Sequence, residues 1–222
     1  MIEFLKKLYG DDYDHCLHPI DRRMKIIDDF GIEGMSTENT RFLINELVRL
    51  YAKTYLEVGS FKGSTIISAS VFNENVRCIS IDNFSEFDGA GTNNSVIQKN
   101  IIKTNVSNIE CYNADYKDAI KDIFSNEPEL KIDIYFYDGN HSYENQLNGL
   151  NVMLPHLSSK CIIFVDDINW DDVKNANNVW LSENPEFKCH NIFTEANSSK
   201  TWWNGFSIIY RGILFDNDQQ FI

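Results

Sequence analysis

The stretch that decides the fold is Tyr55-Leu56-Glu57-Val58-Gly59-Ser60-Phe61-Lys62-Gly63-Ser64-Thr65. A short apolar run, Tyr55–Val58, reads as a buried strand. Gly59 and Gly63 let the backbone turn sharply and approach a ligand closely. Ser64 and Thr65 then open a helix whose free N–H groups suit an anion such as a carboxylate. Strand, glycine turn and helix together make the ligand corner of an open α/β sheet, at the carboxyl ends of its strands. A dinucleotide fingerprint would need glycine where Phe61 and Ser64 stand. A P-loop would need lysine after the second glycine, whereas Lys62 precedes Gly63. An ordinary glycine-containing turn stays open at this point.

Outward from this corner, the chain alternates strand and helix. Upstream, Ser36 or Thr37 offers an N-cap, and Phe42, Leu43, Leu47, Leu50 and Tyr51 follow at helical spacing, giving a helix over about 37–53. Downstream, helices are predicted over 64–72, 96–104, 116–124 and 143–154. Strands are predicted over 77–81, 109–112, 132–137 and 161–165. Continuous apolar strands between helices imply a parallel sheet covered on both faces. The tail breaks the alternation: 187–193 and 205–211 read as two strands with no helix between them, hence an antiparallel hairpin at one edge. Residues 1–35 are acidic, aromatic and weakly periodic, with Leu5, Leu8 and Tyr9 on one stripe. They read as an N-terminal extension that caps a domain spanning 36–222.

The 222 residues suffice for one sizeable α/β domain, and 43% hydrophobic with 24% charged residues is a globular balance. The net charge of −13 opposes binding to phosphate backbones, so nucleic acid is not an expected partner. Cys16, Cys78, Cys111, Cys161 and Cys189 contain no Cys-x-x-Cys pair. The last four fall in predicted strands, where Cys behaves as a small buried hydrophobe. Reduced thiols, no secretory signal and no run of about 20 apolar residues lead to the expectation of a cytoplasmic protein without a membrane partner.

The predicted strand tips carry acids. Asp82 ends the second strand, where a carboxylate can accept both hydroxyls of a ribose. Asp115 follows the third, Asp138 the fourth, and Asp166-Asp167 the fifth. Three carboxylates brought together at Asp138, Asp166 and Asp167 would repel one another unless protonated or bridged by a cation. Oxygen-only ligands suit Mg2+, and zinc fits poorly.

The pattern Glu57-x-Gly59-x-x-x-Gly63-x-Thr65 resembles motif I of class I S-adenosylmethionine-dependent methyltransferases without a mismatch. Asp138-Gly139-Asn140-His141-Ser142-Tyr143-Glu144 resembles the Asp-Gly-x-His-x-Tyr motif of a group similar to macrocin O-methyltransferase, which acts on sugars and antibiotic precursors. The acid tips resemble those of catechol O-methyltransferase. The resemblance covers roughly residues 35–212 and implies a Rossmann-like, seven-stranded, mostly parallel sheet with helices on both faces. It implies S-adenosylmethionine held by Glu57, Gly59, Ser60, Phe61, Gly63, Ser64, Thr65, Asp82, Asn83, Asp115 and Tyr116. It also implies Mg2+ on Asp138, Asp166 and Asp167. The lysine that follows the metal-ligand segment in catechol O-methyltransferase is missing here.

His141, with an unperturbed pKa of about 6.5, is the natural replacement base beside Asp138; packing the loop or orienting Asp138 is its other reading. His15, His18, His156 and His190 have no supporting constellation and read as structural. Of the Trp202-Trp203 pair, one packs and the other covers the pocket or a partner. Methyl transfer from a sulfonium is an in-line displacement, and orientation alone can supply about 7–11 kcal/mol. A metal chelating two vicinal hydroxyls would fix that geometry. The reading is therefore O-methylation of a small hydroxylated substrate, a sugar ahead of a catechol. Self-association into a homo-oligomer is compatible with it. A hydroxylase resembling cephalosporin hydroxylase and a non-catalytic cofactor-binding module are the rivals. The first would need an iron or nicotinamide site, and the second would not need the acid cluster.

Overall fold

The computed structural model describes residues 1–15, 25–213 and 215. Cys16 and His18 lie outside the described residues. The elements run α1 (Ile2–Tyr9), α2 (Lys25–Asp29), α3 (Glu38–Tyr51), β1 (Thr54–Val58), α4 (Ser64–Ser70), β2 (Arg77–Asp82), α5 (Asn93–Thr104), β3 (Ile109–Asn113), α6 (Tyr116–Asn126), β4 (Ile132–Tyr137), α7 (Tyr143–Met153), β5 (Leu157–Asp166), α8 (Asp171–Glu183), β6 (Lys188–Ile192) and β7 (Phe206–Arg211). Of the two candidate caps for α3, Thr37 performs the role: its hydroxyl accepts from the Thr40 N–H.

The seven strands form one sheet in the order β3-β2-β1-β4-β5-β7-β6. β1 to β5 are parallel, and β7 is antiparallel to both β5 and β6. The predicted hairpin therefore exists, with β7 inserted against β5 and β6 left as the edge. β1 is buried along its whole length, and successive side chains point to opposite faces. Tyr55 joins a core formed with α1, α3 and α4, while Leu56 and Val58 join a second core formed with α6, α7 and α8.

Two elements depart from the expectation. Helix α8 is not signalled by its Asn-rich sequence. It forms because Val173 and Trp180, at helical spacing, reach the second core, with Ala176 buried between them. The N-terminal segment is also more integral than an appended cap. Leu5 and Ile27 are fully or nearly fully buried in the first core, and the indole N–H of buried Trp202 donates to the Tyr13 carbonyl. Among the described residues no helix is long and apolar enough to cross a membrane.

The switch in strand order lies between β1 and β4. Neighbouring chains leave the sheet there in opposite directions, opening a crevice at the strand tips. Every acid singled out above stands at that edge.

Candidate functional site

The glycine loop is fixed from below by Glu57. Its carboxylate is wholly buried and accepts from the Tyr55 hydroxyl at 2.7 Å and the Thr65 hydroxyl at 2.8 Å. Burial raises its pKa from 4.5 to about 7, against the opposing hydrogen bonds from Tyr55, Thr65 and Ser60. Ser60 in turn accepts from Ser80 on β2 at 2.8 Å. Glu57 thus ties β1 to the start of α4 underneath the loop.

Gly59 has φ +89°, and a Cβ built on it would stand 1.8 Å from the Asp138 carbonyl oxygen. Only glycine permits this approach, which packs the loop directly on the tip of β4. Gly63, at φ +93°, caps α4. From above, the segment before α3 lies on the loop. Glu33 pairs with Lys62, and the Ser36 and Ser64 hydroxyls are 3.2 Å apart. Gly34 passes so close that a Cβ there would meet Ser64.

Asp82 stands beside the loop. One carboxylate oxygen accepts from the Phe61 N–H and the other from the Phe84 N–H, both at 2.7 Å. Each oxygen keeps accepting capacity for a further hydroxyl. Asn83 is exposed and accepts from the Ser85 N–H. Asp115 is exposed and caps α6 by accepting from the Lys117 N–H at 2.9 Å. Tyr116 is half-buried, and its ring stands edge-on to Tyr137. Glu57, Gly59, Ser60, Phe61, Asp82 and Asp138 therefore come together in direct contacts. Asp115 and Asn83 sit at the margin, engaged in their own turns.

At the tips of β4 and β5, Asp138, Asp166, Asp167 and His141 form one cluster. His141 Nε2 lies 3.5 Å from Asp138 Oδ1 and 3.5 Å from Asp167 Oδ2. Asp167 has a left-handed backbone, φ +57°, and its Oδ1 accepts from the Asn204 side-chain amide at 2.8 Å. All three carboxyls are pushed above the usual range. For Asp138 desolvation leads, followed by the charges of Asp167, Glu57 and Asp82. For Asp166 desolvation is joined by Asp138 and Asp167, with His141 opposing. For Asp167 desolvation is opposed by His141 and Asn204. The ring of His141 meets exposed Trp170 edge-on at 5.3 Å, and its buried Nδ1 has no partner. The three carboxyls are proton acceptors with raised affinity, and the cluster is open to solvent through Asp138, whose side chain is 27% exposed.

Mg2+ chemistry matches this donor set: three crowded carboxylates would give up their protons to a dication. The side chains as they stand close on His141, and among the described residues no three His, Cys, Asp or Glu are gathered as metal ligands.

Three participants escaped the sequence reading. Asn204 holds Asp167 from the β6–β7 loop, 37 positions away. Asn169 pins the same loop through Thr194. Trp170 flanks His141. Its position four residues after Asp166 was the one available signal.

Comparison with known proteins shows the family and the fold. A family profile described as a methyltransferase domain matches residues 56–168, half of the chain, from β1 to just past the Asp166-Asp167 pair. An uncharacterised protein of Acanthamoeba polyphaga mimivirus is 29% identical over 119 residues, and the match spans 51% of this chain and 51% of that one. An O-methyltransferase from Bacillus cereus, solved with S-adenosylhomocysteine, superposes with a TM-score of 0.66 at 15% identity, over 95% of this chain and 100% of its own. The O-methyltransferase TomG from Streptomyces achromogenes, solved with S-adenosylmethionine, gives 0.65 at 14% identity, over 93% of this chain and 98% of its own.

Proposed function

The chain belongs to the methyltransferase-domain family, and from that premise we propose that it moves a methyl group from S-adenosylmethionine to a hydroxyl oxygen of a small, sugar-like acceptor. The observation that carries the reading is the contact between its two halves. The glycine loop rests on the Asp138 carbonyl at Gly59, so a donor seated on the loop has its reactive end beside the acid–imidazole cluster.

In this reading the backbone of the loop and the start of α4 receive the amino-acid end of the donor. Asp82 accepts the ribose hydroxyls with the lone pairs that Phe61 and Phe84 leave free. Tyr116, at the start of α6 beyond the tip of β3, lines the base side in this reading. The acceptor lies over Asp138 and His141, with Trp170 as the exposed flat face against which an apolar ring face packs. His141 or Asp138 takes the hydroxyl proton as the C–O bond forms and the sulfonium C–S bond breaks, giving methyl ether and S-adenosylhomocysteine. Raised proton affinity suits the carboxyl to that role. Asp138, Asp166 and Asp167 would hold Mg2+, which supplies acidification of the acceptor hydroxyl and neutralises the crowded charge. The segment just before α3 acts as a cap over the loop, supported by the Glu33–Lys62 pair and the close passage of Gly34.

The test is cofactor selectivity. Ligand at a hundred times its Kd stabilises by about 2.7 kcal/mol, equal to roughly 5–10 °C for a domain of this size. S-adenosylhomocysteine raises the melting temperature by that amount and NAD does not; a shift with NAD alone refutes the reading. Transfer of labelled methyl to a panel of sugars and catechols then identifies the acceptor class.

A further inference from the structure

The turn that carries His141 is built locally except at one point. The Asn140 carbonyl accepts from the Tyr137 hydroxyl, and Asn140 Oδ1 accepts from the Ser142 N–H and the Asn145 amide. The remaining group, Asn140 Nδ2, reaches outward and donates to Glu86 Oε1 at 2.9 Å. Glu86 lies 54 residues upstream, in the loop after β2. Since β1 separates β2 from β4 in the sheet, this hydrogen bond spans the crevice above the glycine loop.

The other end of the span is anchored to Asp82. The Phe84 N–H donates to Asp82 Oδ1, and Phe84 packs on the first core with a left-handed backbone, φ +52°. That conformation is costly for an aromatic residue, so this short root holds a defined shape because its surroundings impose it. Past Glu86, the loop is tied to α5: the Asn93 amide donates to the Phe87 carbonyl, and Asp88 accepts from the N–H groups of Thr92 and Asn93. A single residue, Ser85, separates the hydrogen-bonded Phe84 from Glu86. A change in what Asp82 binds therefore has a short path to Asn140, and from Asn140 to its chain neighbour His141.

We propose that Glu86 is a positioning residue: through Asn140 it couples the occupancy of the ribose acceptor Asp82 to the placement of His141. The inference rests on the assignment of Asp82 to the cofactor. It gives the site a sequence of events in which the base is set when the donor is seated, before the acceptor reacts.

Trp170 supplies the readout, because its indole meets the His141 ring. The experiment titrates the full chain with S-adenosylhomocysteine, following tryptophan emission and, in parallel, calorimetric affinity. In the unsubstituted protein the emission changes on binding, and Trp170→Phe removes that change. Glu86→Ala, melting within about 2 °C of the parent, binds S-adenosylhomocysteine within roughly fivefold but loses at least half of the emission response. Glu86→Gln keeps an acceptor for Asn140 and restores it. Should Glu86→Ala fail to fold, Asn140→Asp, which replaces the donor with a repelling carboxylate, gives the same loss. An unaltered response in Glu86→Ala, a response that survives Trp170→Phe, or no response despite calorimetric binding overturns the coupling alone. Absence of calorimetric binding overturns the cofactor assignment and the coupling with it.

Discussion

Glu57→Gln tests whether a neutral carboxyl underlies the glycine loop. Burial lifts the Glu57 pKa from 4.5 to about 7. At about 1.4 kcal/mol per pH unit this difference amounts to roughly 3 kcal/mol. The sign follows from proton counting. Below pH 4.5 the carboxyl is protonated in both folded and unfolded chains and contributes no pH dependence. Between 4.5 and about 7 the unfolded chain gives up the proton while the folded chain keeps it, so stability falls as pH rises. Above 7 both are ionised and the loss is complete. Glutamine cannot ionise, and its amide can still serve the Tyr55 and Thr65 hydroxyls, whose protons rotate to suit either partner. The assay is thermal or urea unfolding of both proteins from pH 4.5 to 8. Asp138, Asp166 and Asp167 are raised as well and slope in the same direction, and the Glu57 charge contributes to the Asp138 shift, so the difference between the two curves reports Glu57 together with its effect on Asp138. The variant gains on the parent by about 3 kcal/mol across the range, or roughly 6–12 °C. Parallel curves would show that Glu57 is ionised in the folded state and refute the account of the loop.

Three further outcomes follow from the site. Treatment with EDTA, or Asp166→Asn, abolishes methyl transfer while calorimetry finds S-adenosylhomocysteine binding nearly unchanged; full activity in EDTA would instead leave His141 and Asp138 as a metal-free proton-accepting pair. Asn204→Ala removes the amide that holds Asp167 and costs about 1.5–3 kcal/mol in urea unfolding, with a larger loss in kcat than in cofactor affinity; unchanged stability would show that the amide is idle. Gly59→Ala places a methyl against the Asp138 carbonyl on a left-handed backbone, so cofactor binding falls by at least about tenfold; wild-type affinity would mean that the two tips are free to separate.

The sheet and its ligand corner were readable because local pattern and global fold agree there. Tyr55–Val58 is apolar and short, Gly59 and Gly63 sit where φ is positive, and Asp82, Asp138 and Asp166-Asp167 mark the ends of strands whose order follows from the crossover rule. Helix α8 was not readable, because its Asn-rich composition is a poor helix former and its existence depends on Val173 and Trp180 finding the second core. The supports of the site were hidden for a different reason. Asn204 reaches Asp167, and Glu86 reaches Asn140, across 37 and 54 positions. Nothing at either residue's own position in the chain announces a partner so far off. Weak periodicity marks residues 1–35 only as an extension that caps the domain; the burial of Leu5 in the first core is not visible in that pattern.

The placement of β7 between β5 and β6 has a consequence for how the molecule assembles. β6 precedes β7 in the chain but touches the sheet only through it, and Asn204, just ahead of β7, comes to Asp167 as that strand docks. The parallel strands can therefore gather around both cores while the edge of β5 stands open and the acid cluster lacks one wall. Zipping β7 into that gap pairs residues 40 to 50 positions apart, a shorter span than the 79 positions that join β1 to β4. A chain whose β7 is displaced would keep its parallel strands while losing the wall that Asn204 gives the acid cluster, and its bared β5 edge would be the surface on which two such chains pair.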